Sequence, residues 1–381
     1  MEPFDMSLVQ CGARLRRSPF YQAEQHYGPK AYTVYNHTLF PIRYDDLEAE
    51  YWHLLEHVTL WDVAVERQVE ITGPDAFRFT NMLTPRDLSK CAVGQGKYVL
   101  ITAPDGGIVN DPVLMRLGEN HFWLALADSD VLLYAIGLAA FLDMDVRLTE
   151  PDVSPLQIQG PKSKDVVRAL LGDQVLGLKY YWFVETDLDG IPVIVTRTGW
   201  TGEVGFEIYL RDGSRGTDLW ERIMAAGLPF DIRPTGPSDI RRVEAGILNY
   251  GADMDLRNNP YEVGLERLVD LDKGQDFMGR DALQRIGEAG VSRKLVGVEI
   301  AGDRLPFNDQ RWTVRDGDRP VGHISSALYS PRLEKNIGYA WVPTDRSQLG
   351  TKFVVETLLG EAPALVVSMP FVDPTKEIPK S

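Results

Sequence analysis

The feature that most constrains this chain is a strand-to-helix junction that occurs twice. Val69-Glu70-Ile71-Thr72-Gly73-Pro74-Asp75-Ala76 and Leu156-Gln157-Ile158-Gln159-Gly160-Pro161-Lys162-Ser163 each alternate in polarity and then break at Gly-Pro, with Ile71 and Ile158 87 residues apart. An apolar helical pattern follows both: Phe77, Met82 and Leu83 in the first, Val166, Val167, Leu170 and Leu171 in the second. Gly for the turn and Pro at the first helical position are helix-start signals.

The elements after each junction also match in order. Strand-like runs at Tyr98–Thr102, Val113–Leu117 and Phe122–Ala127 precede an apolar helix at Val131–Leu142. Runs at Phe183–Leu188, Pro192–Arg197 and Phe206–Leu210 precede a helix at Asp218–Ala226. The order predicts a duplicated α+β unit, with a ligand site where the halves meet. From Arg293 the texture changes to six short strand-like runs separated by turns: Leu295–Ile300, Trp312–Arg315, Pro320–Ser325, Gly338–Trp341, Lys352–Glu356 and Ala364–Met369. They predict a small C-terminal β-barrel over residues 293–381, after a boundary at Gly287–Ser292. The fold class expected is therefore α+β, with residues 1–287 forming two repeated units as two interleaved subdomains.

Composition narrows the function. A formal net charge of −15 disfavours a phosphate backbone, so no nucleic acid is expected as a partner. The longest apolar run, Val131–Leu142, is too short to span a bilayer, which needs about 20 residues. It reads as a buried helix, and no membrane association is expected. The acidic start at Met1-Glu2-Pro3-Phe4-Asp5 lacks the apolar region of a signal peptide. With only Cys11 and Cys91 and no C-x-x-C pair, neither a zinc site nor a disulfide framework is expected, which suits a reducing, cytoplasmic location. His53 and His57 lie four apart on a predicted helix, Leu47–Val58, without the H-E-x-x-H pattern or a third ligand, so no metal is expected.

Two segments hold residue types that can carry chemistry. In Asp105-Gly106-Gly107-Ile108-Val109-Asn110-Asp111-Pro112, a Gly-Gly turn and a strand start place Asp111 near a strand opening, where a carboxylate can balance a cation. An Asp that merely ends a turn has the same pattern. In Thr198-Gly199-Trp200-Thr201-Gly202-Glu203-Val204-Gly205-Phe206-Glu207-Ile208-Tyr209, three glycines permit close backbone approach to a flat ligand, and their spacing fits no dinucleotide or P-loop fingerprint. Glu207 falls on a strand face; buried, it needs donors such as a pterin amino group and ring N–H, and exposed, it is an ordinary hairpin residue. Aromatic residues, among them Tyr32, Tyr35, Tyr180, Tyr181, Trp182, Trp200 and Tyr209, are dense around these motifs. Their faces attract sulfonium or quaternary ammonium groups, by ~0.5–2 kcal/mol per contact, and equally serve as core.

These segments resemble the glycine-cleavage T-protein (aminomethyltransferase) family. The resemblance runs through Glu56-His57, Leu60-Trp61-Asp62-Val63, Gly106–Asp111, Arg197–Glu203, Phe206-Glu207, Arg242–Gly246, Tyr250-Gly251, Asp276–Arg280 and Ser368–Phe371, in family order along nearly the whole chain. Arg16–Phe20, Tyr32–His37, Tyr51–His57, Trp61–Ala64, Glu66–Ile71, Glu150–Leu156 and Asn258–Glu262 are similar to the dimethylsulfoniopropionate demethylase branch.

The resemblance implies a tetrahydrofolate cofactor held in a central channel. It implies Asp111 as the catalytic carboxylate and Glu207, with Tyr98 and Arg197, as cofactor-binding residues. Tyr32, Trp200, Tyr209, Trp182 and Arg17 follow as substrate-binding residues for a small-molecule methyl donor, in a monomer or homodimer. Departures from the pattern bear on the substrate. Ser238 stands where the glycine-cleavage enzymes carry Arg, and Ala64-Val65-Glu66 where they carry Ser-His-Met. Thr201-Gly202-Glu203 stands where the demethylases carry Ser-Lys-Gln. The alternatives are a demethylase of a methylated amine or aryl methyl ether, an aminomethyltransferase acting with a lipoylated partner, and a non-enzymatic folate-binding protein. Asp272–Phe277 lacks the Cys of the Lys-Gly-Cys-Tyr motif in such non-enzymatic relatives, which favours an enzyme.

Overall fold

A computed structural model describes residues 12–381; the acidic start and Cys11 lie outside the described residues. The first described segment supplies helix α1 (Tyr21–Gln25), the hairpin β1 (Ala31–Tyr35) and β2 (Thr38–Arg43), α2 (Leu47–Glu56) and β3 (Val58–Asp62). The first repeat comprises β4 (Gln68–Thr72), α3 (Ala76–Leu83), β5 (Gln95–Tyr98), a small hairpin of β6 (Ile101–Thr102) and β7 (Ile108–Asn110), β8 (Val113–Gly118), β9 (His121–Ala125), α4 (Val131–Ala139) and β10 (Arg147–Thr149). The second comprises β11 (Ser154–Gln159), α5 (Ser163–Leu171), β12 (Phe183–Asp187), β13 (Pro192–Thr196), β14 (Gly205–Leu210), α6 (Gly216–Gly227) and β15 (Ile232–Pro234).

Sheet order shows the duplication. The first sheet runs β10-β4-β9-β8-β5 and the second β15-β3-β11-β14-β13-β12. In each, the opening strand of the repeat pairs with the third long strand, which pairs with the second. The difference is β3, which inserts between β11 and β15 in the second sheet and pairs parallel with β15. The junctions match in backbone conformation and hydrogen bonding. Gly73 and Gly160 share φ +116°, a left-handed conformation that glycine tolerates. Ala76 N–H donates to the Gly73 carbonyl at 3.0 Å and Ser163 N–H to the Gly160 carbonyl at 2.9 Å. One residue earlier, Asp75 N–H meets the Asp145 carbonyl at 3.2 Å and Lys162 N–H the His57 carbonyl at 3.1 Å.

Each repeat buries its own apolar face. Val166, Val167, Leu219, Trp220 and Ile223 of α5 and α6 pack on Leu156, Ile158, Phe206 and Ile208. Phe79 and Leu83 of α3 pack on Ile71, Leu114, Phe122 and Leu124. The helix expected to be buried at Val131–Leu142 is only half so. Val131 and Ala135 face this core, whereas Leu133, Ile136 and Phe141 are exposed, Phe141 at 91%. A run that is apolar on every face hides its orientation, and only one stripe of α4 meets the sheet. The sheets also face each other through Met115, Trp123 and Ala125 against Phe183, Ile194 and Tyr209. Their edges meet where Gly96 N–H donates to the Tyr181 carbonyl at 2.6 Å and Phe183 N–H to the Gly94 carbonyl at 2.9 Å.

Helices α7 (Asp239–Glu244) and α8 (Arg280–Ala289) lead to six strands: β16 (Arg293–Ile300), β17 (Trp312–Asp316), β18 (Arg319–Ser330), β19 (Lys335–Pro343), β20 (Lys352–Thr357) and β21 (Gly360–Val367). They close as a barrel in the order β16-β19-β18-β17-β20-β21. All six expected runs are strands, with β18 and β19 longer than their apolar patterns. The barrel is not a loose appendage. Leu295, Ile337, Tyr339 and Trp341 share one cluster with Leu100, Ile108, Val243 and Met254. Arg242, fully buried, donates to Asp253 at 2.8 Å and to Ser326 Oγ on β18 at 3.0 Å. The terminal helix α9 (Glu377–Lys380) completes the chain.

Candidate functional site

Asp111 lies in the connection between β7 and β8, and Pro112 behind it cannot donate to a ladder. It is walled in by protein yet keeps accessible surface, so it borders an interior space. The Tyr98 hydroxyl, at the end of β5, donates to Asp111 Oδ2 at 2.9 Å. Burial pushes the Asp111 carboxyl up to about 7, against the opposing pull of the Tyr98 hydrogen bond.

Glu207 sits in the middle of β14. Its Oε1 accepts from Gln157 Nε2 at 2.7 Å, and its Oε2 from Tyr209 Oη at 3.1 Å, Thr196 Oγ1 at 3.3 Å and Thr198 Oγ1. Burial raises its pKa and these donors lower it. Strand pairing explains the assembly: Gln157 and Thr196 are the register partners of Glu207 on the flanking strands β11 and β13, so all three share one face.

Glu66, in the turn between β3 and β4, is a third carboxylate in the same field. Burial, then Glu207, then Asp111 raise its pKa well above the usual carboxylate range. Tyr35, Tyr98 and Tyr181 are likewise enclosed while retaining accessible surface. The sheets' junction thus surrounds an acceptor-rich, phenol-lined space. Sequence reasoning did not place Glu66 beside Asp111 and Glu207; its signals were the departure from Ser-His-Met and the similarity of Glu66–Ile71 to the demethylase branch.

The other expected site residues divide. Trp182 pairs with Gln95 at the seam of the sheets. Trp200 packs on Leu54, Trp61 and Val63, with the Arg242 guanidinium 5.5 Å from its ring; its backbone N–H donates to Oε1 of Gln157 at 3.5 Å, and Gln157 in turn donates to Glu207. Tyr209 has no accessible surface, and its hydroxyl donates to Glu207, which it supports. Arg197 is also turned elsewhere. Its guanidinium donates to the carbonyls of Leu178 and Pro379, each at 3.3 Å, and to Ser381. Arg17 is exposed, 4.8 Å from the Tyr21 ring. Tyr32 accepts from Gln25 at 2.6 Å beside a separate buried acid pair, Glu24 and Asp62. These three are not brought to Asp111. For Arg197 local sequence offers no sign of this, because the Pro379 and Ser381 carbonyls come from the far end of the chain.

The Thr201-Gly202-Glu203 departure has a structural role. Glu203 accepts from buried Arg241 at 2.7 Å and Thr201 donates to Gln159 at 2.8 Å, bracing the loop against α7. Ser238 caps α7 by accepting from Arg241 N–H at 3.3 Å. His53, His57 and Asp231 do converge, the imidazoles stacked 4.8 Å apart. The Lys162 ammonium, 2.8 Å from His57 Nδ1, puts a positive charge where a metal would go.

The donor set fits a reduced folate. Glu207 Oε1 accepts a single hydrogen bond, which leaves acceptor capacity for the N–H edge of a pterin. Asp111 Oδ1 accepts from no side chain among the described residues.

Comparison with known proteins bears this out at the level of family. Residues 8–273 match the GCVT N-terminal domain and residues 293–373 the glycine cleavage T-protein C-terminal barrel domain. Dimethylsulfoniopropionate demethylase DmdA of Ruegeria pomeroyi is 39% identical over 95% of this chain and 98% of its own. An aminomethyltransferase of Symbiobacterium thermophilum is 33% identical over 94% of this chain and 97% of its own. The crystal structure of glycine cleavage system aminomethyltransferase T from Bartonella henselae shares the fold, with a TM-score of 0.84 at 24% identity over 94% of this chain and 99% of that one. Among the described residues no helix is long and apolar enough to cross a membrane. The chain belongs to the glycine cleavage T-protein family and is a tetrahydrofolate-dependent one-carbon transferase.

Proposed function

We propose that this enzyme moves a methyl group from dimethylsulfoniopropionate, or a closely related methylated onium compound, to N5 of tetrahydrofolate. The observation that carries the reading is the enclosed space between the sheets, where Asp111, Glu207 and Glu66 stand together without an ion-paired cation among the described residues. Such a space suits a cationic donor beside an N–H-rich ring. The identity to the Ruegeria pomeroyi demethylase supports the same reading.

Tetrahydrofolate, when bound, supplies N5 as the methyl acceptor, while the electron pair of the broken S–CH₃ or N–CH₃ bond leaves on the heteroatom. Glu207 and Gln157 orient the pterin edge. Asp111 stabilises the positive charge as it passes from donor to acceptor and takes the released proton on Oδ1. Most of the rate then comes from alignment of two bound reactants. Tyr98 keeps Asp111 in place. The first 287 residues form the folate-binding region and the barrel braces it. The test is anaerobic incubation with tetrahydrofolate and dimethylsulfoniopropionate, followed by mass spectrometry. Equal yields of 5-methyltetrahydrofolate and methylmercaptopropionate are expected; absence of both from a folate-binding preparation refutes the donor.

A further inference from the structure

We propose that Glu66 is the specificity-determining anchor for the positive charge of the methyl donor, selecting cationic over neutral donors. The inference rests on the onium reading above and deepens it.

Three carboxylates share the interior space, and they are not equivalently satisfied. Glu207 accepts from four side chains and Asp111 from Tyr98. The Glu66 carboxylate, among the described residues, makes no hydrogen bond or ion pair; only its backbone is engaged, through Val63 and Gln68. The adjacent cation is turned away, since Arg67 donates to Glu150 at 3.0 Å in a two-pronged ion pair. The charged groups acting on Glu66 are the carboxylates of Glu207 and Asp111, which repel its charge.

A carboxylate that lines an interior space beside two other acids carries an electrostatic penalty as an anion. A positive guest removes the penalty and a neutral one does not. Glu207 is clamped by its four donors and Asp111 is committed to the charge that develops at the acceptor, which leaves Glu66 for the charge the donor brings.

The test is calorimetric binding of dimethylsulfoniopropionate and of 4-methylpentanoate, which replaces S⁺ by CH, to wild type, Glu66→Gln and Glu66→Asp, with tetrahydrofolate affinity measured in parallel. Wild type should favour the sulfonium. Glu66→Gln should cut that preference about tenfold, a loss of ~1.4 kcal/mol, with tetrahydrofolate affinity kept, and Glu66→Asp should restore part of it. A preference retained in Glu66→Gln overturns the role of Glu66 and leaves the onium donor standing. No preference in wild type overturns the donor reading and this inference together. Loss of tetrahydrofolate affinity in Glu66→Gln assigns the residue to the cofactor and overturns its role toward the donor.

Discussion

The two repeats share strand order and junction geometry, yet they hold their acidic residues differently. In the first, Asp111 stands in a connection, braced by one phenol, with a pKa pushed up to about 7. In the second, Glu207 stands in mid-strand, gripped by Gln157, Thr196, Thr198 and Tyr209. A loop carboxylate with spare acceptor capacity suits proton and charge transfer. A strand carboxylate with fixed donors suits recognition. Duplication supplied one frame twice, and each copy places its acid in a different setting.

The contrast breaks most sharply at Asp111. Asp111→Ala should fold, bind tetrahydrofolate within a few-fold of wild type, and lose single-turnover methyl transfer by about 10²–10³-fold. Full activity removes Asp111 from the mechanism. Glu207→Ala should do the reverse. Folate affinity should fall by about 10²-fold, as expected for hydrogen bonds to a charged group at ~1.5–3 kcal/mol each. The melting temperature should also drop, because four buried donors lose their acceptor. Unchanged affinity refutes the contact.

The shared junction gives a smaller, matched effect. A Cβ at Gly160 would lie 2.6 Å from the His57 carbonyl and 2.7 Å from that of Leu54, whereas at Gly73 it would lie 2.5 Å from the Asp145 carbonyl alone. Each Gly→Ala should cost about 1–3 kcal/mol by chemical denaturation, with Gly160 the more sensitive. Equal costs would mean the second close contact relaxes freely.

The smallest effect concerns pH. Folded Asp111 holds its proton more tightly than the unfolded chain does. Its contribution to stability is therefore full below pH 3.8 and is lost as the pH rises from there to about 7. Asp111→Asn should flatten that limb of a denaturation series. Methyl transfer should rise with a midpoint at a pH of about 7, as the carboxylate forms in the folded enzyme. Tyr98→Phe removes a hydrogen bond to the charged form, so its rate midpoint should move to higher pH; a shift to lower pH would sink the assigned role of Tyr98.

Much of this was legible in the residues. The Gly-Pro junctions and the strand runs after them carried the duplication, because turn chemistry and periodicity are local. The six barrel strands were readable for the same reason. Asp111 and Glu207 stood out through their flanking glycines and the family resemblance. The reading of α4 as a buried helix failed because a uniformly apolar run carries no facing information, and Phe141 is almost fully exposed. The supporting bond from Tyr209 to Glu207 was not legible, because alternation along β14 does not show that both of its faces are covered, as its all-buried strand shows.

What the sequence by itself determined is the kind and order of elements, the family, and the two carboxylates that motifs bracket. Only the tertiary structure decided which groups share a space. Glu66 meets the fields of Asp111 and Glu207 from 45 and 141 residues away in the chain. Arg197 is taken up by the C-terminus, and Arg17 remains on the surface. Burial and charge act through distances in space, and those are set by the packing of two sheets and a barrel rather than by the neighbours of any one residue.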